Sequence, residues 1–116
     1  MQAVLRIEGL PDSALDAATA FHAHYLPAIR RELASGAEAL ALIFPLATYD
    51  HTGWRKAALA DLAREAAPKR VNGVEGAEGE GVEAVLQWLA HAPGITGQLL
   101  PVESGGADSG AGNFRN

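Results

Sequence analysis

Six consecutive apolar residues, Ala39 to Phe44, constrain the fold of this chain more than any other segment does. Pro45 ends the run, because proline cannot donate a hydrogen bond to a neighbouring strand. A strand with one face in water alternates apolar and polar residues, whereas an unbroken apolar run is typical of a strand covered on both faces. The segment therefore predicts a buried strand of a parallel sheet.

Further strands and helices are predicted on both sides of this run. The other predicted strands cover residues 3–7, 70–74 and 98–102. The predicted helices cover residues 13–34, 52–67 and, after a loop over 75–81, a short stretch around 82–89. Strands that alternate with helices form parallel sheets, and connections between parallel strands are usually right-handed. The sequence thus predicts an α/β domain with a four-stranded parallel sheet, three main helices and right-handed crossovers.

The segment 13–34 carries the signals of a helix start and of a bend. Ser13 and Asp16 have the spacing of a capping box, in which a hydroxyl and a carboxylate bond free amides of the first turn. Pro27 lacks an amide hydrogen, so we expect it to free the carbonyl of Ala23 and bend the helix axis. The apolar stripe predicted for this helix consists of Leu15, Ala18, His22, Leu26, Ile29 and Leu33.

Length and charge limit the functions open to this chain. Its 116 residues suffice for one domain, predicted over 1–103, followed by a glycine-rich flexible tail over 104–116. The net charge of −5 argues against a nucleic-acid partner, which would need a basic face. Without cysteine, disulfides and thiol chemistry are excluded. No apolar run approaches the ~20 residues of a membrane span, so we expect no membrane partner and take the cytoplasm as the default location.

Short motifs along the chain, in a fixed order, resemble one enzyme family. They are Leu26-Pro27-Ala28-Ile29, Arg70-Val71-Asn72 and Thr96-Gly97-Gln98. Together they make the segment from Phe21 to Gly106 similar to the C-terminal half of the short-chain dehydrogenase/reductase family. The resemblance implies a truncated Rossmann-like domain without the cofactor-binding half, since the family's glycine-rich turn for the dinucleotide pyrophosphate has no counterpart here.

The resemblance also identifies the positions of the family's catalytic asparagine, serine, tyrosine and lysine. In this chain those positions carry Ala14, Pro45, Thr52 and Lys56. A threonine hydroxyl is too weak an acid to replace tyrosine at neutral pH, and alanine and proline side chains carry no proton donor. Lys56 is thus a weak remnant whose alternative role is a surface charge. Tyr49 is a second weak remnant, with loop packing as its alternative.

These losses predict a non-catalytic pseudoenzyme that acts as an oligomerisation, protein-interaction or regulatory module and needs no cofactor. The alternative is a residual NAD(P)-dependent oxidoreductase or nucleotide-binding protein. Gly79 and Gly81 ahead of a helix, with Glu103 at the end of the next strand, fit a relaxed dinucleotide-binding pattern. The glutamates nearby would repel a pyrophosphate, so a flexible loop is the favoured interpretation; they are Glu75, Glu78, Glu80 and Glu83.

The histidines and tryptophans predict no separate site. His22 and His24 are two residues apart on a helix, about 200° around it, and cannot share a metal ion. His51 follows Tyr49 and Asp50, but no serine or cysteine nucleophile accompanies them at a recognisable turn. His91 stands alone, so we expect no metal. Trp54 and Trp88 are interpreted as core or interface anchors.

Association with a second copy is predicted from the sheet edge and from the resemblance. The strand 3–7 would be an exposed edge with unpaired amides. In the family that the chain resembles, the helices corresponding to 13–34 and 52–67 form a four-helix bundle across a twofold axis. We therefore expect a homodimer through these helices, with a full-length relative as an alternative partner. The candidate interface residues are Tyr25, Trp54, Ala57 and Ala58.

Overall fold

The structure is a computed structural model, and it describes residues 1–102. Glu103 and the predicted tail over 104–116 lie outside the described residues. The elements, in chain order, are β1 Gln2–Arg6, α1 Ala14–Ala20, a π-helical segment Phe21–Tyr25, α2 Leu26–Ala34, β2 Ala39–Phe44, a 3-10 turn Tyr49–His51, α3 Thr52–Ala66, β3 Arg70–Glu75, α4 Glu80–Ala90 and β4 Leu99–Pro101. None of the helices within residues 1–102 is long and apolar enough to cross a membrane.

The four strands form one parallel sheet in the order β1-β2-β3-β4. Every residue of β2 is buried, which confirms the prediction from its unbroken apolar run. In the register of the sheet, Val4 lies opposite Ala41 and Leu42 lies opposite Gly73. The arrangement confirms the predicted Rossmann-like α/β fold.

Helices cover both faces of the sheet, and the side chains of β2 alternate between them. Leu40, Leu42 and Phe44 share a core cluster with α2, α3 and the π-helical segment. Ala41 and Ile43 pack on the opposite face with Val82, Leu86 and Leu89 of α4. Each successive strand is added on the same side of the previous one, but α4 packs on the sheet face opposite to α2 and α3. The β3–β4 connection therefore has the opposite handedness to the β1–β2 and β2–β3 connections. The prediction of a uniform right-handed crossover is therefore wrong for the third connection.

The predicted apolar stripe of the first helix is wrong in its first half. Leu15 is 83% exposed, and the buried positions are instead Ala17, Phe21, Ile29 and Leu33. These positions recur at multiples of four residues, so in an α-helix each four-residue step would drift by roughly 40° around the axis. The π-helical segment absorbs the drift, since the amide of Leu26 bonds the carbonyl of Phe21, five residues back.

The predicted helix start and the effect of Pro27 are both visible. The Ser13 hydroxyl accepts a hydrogen bond from the amide of Asp16 at 3.1 Å, as expected of an N-cap residue. Pro27 lies in the first turn of α2, directly after the π-helical segment, where a missing amide hydrogen costs little. The helix is thus interrupted where the sequence predicts a bend.

Two of the motifs that carry the family resemblance, Arg70-Val71-Asn72 and Thr96-Gly97-Gln98, bond to one another. Asn72 is buried, and its amide group donates to the carbonyl of Ile95 at 2.9 Å and accepts from the amide of Gln98 at 3.0 Å. The Thr96 hydroxyl accepts from the amide of Val71 at 3.0 Å. Arg70 donates to carbonyls at the end of α4, those of Leu89 and Ala92. The motifs therefore fasten the segment before β4 to β3, which is a structural role.

Two glycines allow close packing in the same region. A Cβ atom added to Gly73 would lie 2.7 Å from Cδ1 of Leu59 and 3.1 Å from Cε2 of Phe44. Gly97 has a φ of +74°, and a Cβ atom there would lie 3.4 Å from that of Ala63. The small side chain of Ala63 on α3 thus accommodates the chain's own 95–98 segment.

Candidate functional site at the carboxyl ends of the strands

The carboxyl ends of β1, β2 and β3 meet at one end of the sheet, where α/β proteins usually bind ligands. Two cavities of about 300 Å³ each lie there, and Pro45 and Leu46 line both. The helix-side cavity is lined by Leu10, Pro11, Asp12, Pro45, Leu46, Ala47, Thr48, His51 and Arg55. The sheet-end cavity is lined by Arg6, Ile7, Glu8, Ile43, Pro45, Leu46, Gly76, Ala77 and Glu78.

His51 reaches the helix-side cavity with both ring nitrogens engaged. The indole nitrogen of Trp54, which can only donate, lies 3.1 Å from Nδ1 of His51. Nδ1 is therefore the acceptor, and Nε2 carries the hydrogen that it donates to the carbonyl of Asp12 at 2.9 Å. His51 is buried, and its acceptor nitrogen is occupied, so it could accept a proton from a substrate only after the bond to Trp54 breaks.

Arg55 is the largest fully buried side chain in the described part of the chain. Its Nη1 donates to the carbonyl of Pro45 and to Oε2 of Glu75, both at 2.9 Å. The guanidinium carbon lies 4.8 Å from the ring centroid of Phe44 and 5.7 Å from that of Trp54. Since Pro45 follows β2 and Glu75 ends β3, Arg55 ties both strand ends to α3.

The charge of Arg55 is therefore used within the chain. Glu75 neutralises it, and the two aromatic faces provide further cation–π attraction. Nε of Arg55 is shielded from solvent and has no hydrogen-bond acceptor among residues 1–102. A buried pair of this kind costs about 3–5 kcal/mol when one partner is removed, because the other charge is left uncompensated. The arrangement suits a structural role better than anion binding.

The sequence did carry a signal for this buried pair. Arg55 lies three and four residues before Ala58 and Leu59, which are core residues of α3, so it occupies the buried face of the helix. Glu75 ends a strand whose centre is buried. Neither residue was among the predicted site residues, because pairing across 20 positions depends on the packing of α3 against β3.

The predicted catalytic remnants lie outside the cavities. Lys56 is exposed on α3 and lines neither cavity, and Tyr49 is 88% exposed on the 3-10 turn. Of the positions that correspond to the family's catalytic groups, Pro45 lines both cavities, whereas Ala14 and Thr52 line neither. The structure thus does not bring Lys56 and Tyr49 together with the cavity residues.

The residues at the start of α4 do not fit a dinucleotide. Gly79 precedes the first turn with a φ of +148°, and Glu80 and Glu83 both lie in that turn. Glu78 pairs with Arg6 at 3.0 Å, so this nearby cation is already engaged. The negative charges of these carboxylates would repel a pyrophosphate at the helix N-terminus. Each 300 Å³ cavity is also at the small end of the range for drug-sized ligands.

Three surface carboxylates have lowered pKa values. The Arg30 guanidinium lowers the pKa of Glu65, and the amino group of Met1 lowers that of Glu38. A hydrogen bond from the Thr48 hydroxyl lowers the pKa of Asp50. All three carboxylates are exposed, so these shifts describe surface pairs.

His22 and His91 each bond the backbone carbonyl four residues earlier in the chain. Nδ1 of His22 lies 2.8 Å from the carbonyl of Ala18, and Nδ1 of His91 lies 3.1 Å from that of Gln87. Within residues 1–102, no group of three or more His, Cys, Asp or Glu side chains could hold a metal ion.

The predicted interface residues differ in their availability. Ala57 is exposed, whereas Ala58 is 4% exposed and packs in the core, so its side chain cannot reach a partner. Trp54 is half-buried against Phe21, with ring centroids 5.3 Å apart. The Tyr25 hydroxyl donates to the carbonyl of Glu8 at 2.6 Å and accepts from its amide at 2.9 Å. Exposed Trp88 lies on α4, away from this group.

The parallel sheet with helices on both faces defines a Rossmann-like α/β domain. Residues 5–102 match the family model described as short chain dehydrogenase-like protein, and the chain belongs to this SDR-like family. Comparisons with curated proteins and with solved structures gave no match.

Proposed function

We propose that this chain is a non-catalytic SDR-like protein that acts by association, as an oligomerisation or protein-interaction module. The observation that carries the proposal is that the buried polar groups at the carboxyl ends of the strands bond within the chain. His51 bonds Trp54 and Asp12, and Arg55 bonds Pro45 and Glu75. A proton-transfer group must reach its substrate within hydrogen-bond distance, which these engaged groups do not offer.

The correspondence to the C-terminal half of a larger dehydrogenase is part of the same proposal. Two of the family motifs, Arg70-Val71-Asn72 and Thr96-Gly97-Gln98, support it, because they bond β3 to the segment before β4 and do not line the cavities. A domain that keeps this scaffold but has other side chains at the family's catalytic positions retains the surfaces through which such domains associate. We propose a second copy as the partner, or a full-length relative with the same helices.

The outer side of α2 and α3 is the first proposed association surface. A groove of about 200 Å³ runs there, lined by Phe21, His22, Leu26, Arg30, Ala58, Asp61, Leu62 and Glu65. Leu26 is partly exposed and supplies apolar area above the buried side chains of Phe21 and Leu62, and the Arg30–Glu65 ion pair at 2.8 Å supplies a polar rim. An apolar centre within a polar rim is the usual composition of an interface. Exposed Ala57 on α3 would permit close approach of a second helix.

Light scattering on the full chain tests this surface. We expect the wild-type chain to associate and Ala57→Arg to weaken association at least about tenfold, because a long charged side chain would keep the helices apart. Ala84→Arg is the matched control, since Ala84 is also an exposed helical alanine but lies on α4. A wild-type monomer without a co-purifying partner, or equal behaviour of the two variants, would contradict the proposal.

A cofactor titration tests the non-catalytic part of the proposal separately. We expect NADH and NADPH at millimolar concentration to leave the thermal unfolding midpoint unchanged, because a ligand raises the midpoint only if it binds the folded state. A saturable rise in the midpoint with either dinucleotide would instead support the residual oxidoreductase or nucleotide-binding function.

A further inference from the structure

The β1 edge, defined as the outward-facing backbone groups of Gln2, Val4 and Arg6, is a second surface with its own geometry. The amide of Ile7 bonds the carbonyl of Ile43, and the carbonyl of Met1 accepts from the amide of Glu38. Odd-numbered residues of β1 therefore direct their backbone groups toward β2. Because backbone groups alternate in direction along a strand, those of Gln2, Val4 and Arg6 face away from the sheet.

The strand lacks several of the usual protections against edge pairing, and its one charged residue is Arg6, at its end. No proline, lysine or register break occurs between Gln2 and Arg6. Val4, at its centre, is 47% exposed. The free stretch ends at Glu8, whose outward amide and carbonyl both bond the Tyr25 hydroxyl. Among residues 1–102, the outward backbone groups without a partner therefore belong to three alternate residues with Val4 at their midpoint.

This pattern is self-complementary. In an antiparallel pair with a twofold axis at Val4, Val4 faces the partner's Val4, and Gln2 faces the partner's Arg6. Each of these pairs exchanges both backbone hydrogen bonds, so every free group of the β1 edge is satisfied. A shift of two residues in either direction would leave an end residue of each strand unpaired.

The side chains fit the same register. Arg6 is compensated by Glu78 at 3.0 Å, and Gln2 donates to the carbonyl of Leu86 at 3.1 Å, so both polar side chains are held by their own chain. Pairing therefore brings no like charges opposite each other and buries no uncompensated charge. On the other face of the sheet, Ala3 would lie opposite the partner's Leu5, and both are half-buried at present.

We propose that two copies of this chain associate through their β1 edges as an antiparallel pair centred on Val4, which joins the two sheets into one. The inference rests on the proposed role in association but uses a different surface from the α2–α3 groove. Two isologous surfaces on one chain produce either a closed tetramer or a longer assembly. The occupant of the edge is a second copy, because the free groups and side chains complement themselves.

Amide hydrogen exchange on the full chain gives the first test. A free edge predicts fast exchange at Val4 and Arg6 and slow exchange at Ala3 and Leu5, whose amides bond β2. The proposed pair predicts slow exchange at all four, with the protection of Val4 and Arg6 increasing with protein concentration. Fast exchange at Val4 and Arg6 in concentrated protein would overturn the proposal, as would concentration-independent protection in a monomer.

Sedimentation of two Val4 variants gives the second test. Val4→Pro removes the outward amide without removing a bond to β2, and we expect the dissociation constant of the edge pair to rise at least about tenfold. Val4→Lys keeps the backbone but places two ammonium groups opposite each other, and it should weaken the pair in a salt-dependent way. Leu15→Lys adds the same charge at an exposed position on α1 and should have no effect.

The Ala57→Arg background separates the two surfaces. We expect Ala57→Arg to leave the edge pair intact, and the Ala57→Arg, Val4→Pro double variant to be a folded monomer. Loss of association by Ala57→Arg alone, with Val4→Pro silent, would support the helix surface and overturn the edge. The reverse result would support the edge and contradict the helix surface. A circular dichroism spectrum unchanged from wild type would establish that each variant is folded.

Discussion

The two ends of the sheet differ in how completely the chain closes them. At the β3–β4 end, Asn72 and Thr96 bond the segment that leads into β4, and the edge strand is short and ends in Pro101. At the β1 end, the edge strand carries outward backbone groups and a half-exposed Val4. The first end is thus a short edge strand whose lead-in segment is bonded to β3, whereas the second is a longer edge strand whose outward backbone groups have no partner among residues 1–102.

This difference separates two of the three family motifs from the proposed pairing at the β1 edge. The motifs Arg70-Val71-Asn72 and Thr96-Gly97-Gln98 occupy the β3–β4 end, where they contribute to stability. Short edge strands and prolines discourage edge pairing, which suits the closed end. Substitutions at the closed end should mainly change the free energy of unfolding, whereas those at the open end should mainly change association.

The largest effect on stability is expected from Asn72→Ala. It removes the partner of the Gln98 amide and a donor to the Ile95 carbonyl, and buried groups that lose their partners cost about 3 kcal/mol together. Urea unfolding measures the change. Gln98→Ala is the control, because that side chain is exposed and makes only a 3.3 Å bond to the Thr96 carbonyl. Equal stability of the two variants would contradict the structural role of the motif.

Gly73→Ala should have the next largest effect. The added methyl would lie 2.7 Å from Cδ1 of Leu59, which is fully buried, so overpacking should cost roughly 1–3 kcal/mol. Gly53→Ala should have the opposite sign, because Gly53 is exposed on α3 with open space around it, and alanine favours a helix by about 0.5–1 kcal/mol. Thermal unfolding should give a lower midpoint for Gly73→Ala and a higher midpoint for Gly53→Ala than for the wild-type chain.

Val4→Ala should change the free energy of unfolding by less than about 0.5 kcal/mol when measured on the monomer, because the side chain is half-exposed. Val74→Ala, on the same face of the sheet but fully buried, should cost about 2 kcal/mol. Urea unfolding at low protein concentration makes the comparison. A costly Val4→Ala would show that the β1 end is closed within a single chain.

The smallest effect is expected from Glu38→Gln, next to the start of β1. The Met1 amino group lowers the pKa of Glu38, so the pair stabilises the fold above the ordinary pKa of glutamate. That contribution is lost as the pH falls through the lowered pKa. The free energy of unfolding should therefore fall slightly less steeply at acid pH in Glu38→Gln than in the wild-type chain. Because the pair is exposed, added salt should reduce even this difference, which unfolding midpoints at several pH values would reveal.

Local signals predicted most elements of the fold. The run at 39–44 matches β2 to the residue, because complete burial leaves an unbroken apolar signature. The Ser13 cap also acted locally and was predicted correctly, whereas the axis bend expected at Pro27 stays a prediction. The stripe of the first helix failed because it assumed regular α-helical turns, whereas the π-helical segment shifts Ala17 and Phe21 to the inside.

The candidate site was less predictable. The resemblance placed Pro45 and Lys56 at family positions, but only Pro45 lines the cavities. The Arg55–Glu75 pair was missed, because it joins residues on two elements whose relative position depends on packing. The same holds for the bond between Tyr25 and Glu8, which defines the end of the β1 edge.

The sequence by itself determined the order of strands and helices, the burial of β2 and the family, since each rests on local patterns and short motifs. Only the tertiary structure decided which face α4 covers and which polar groups bond within the chain. The physical reason is that hydrophobic periodicity specifies that a face is buried but not what covers it. The directions of the backbone groups in β1 likewise follow from its pairing with β2, and they make its edge the open end of the sheet.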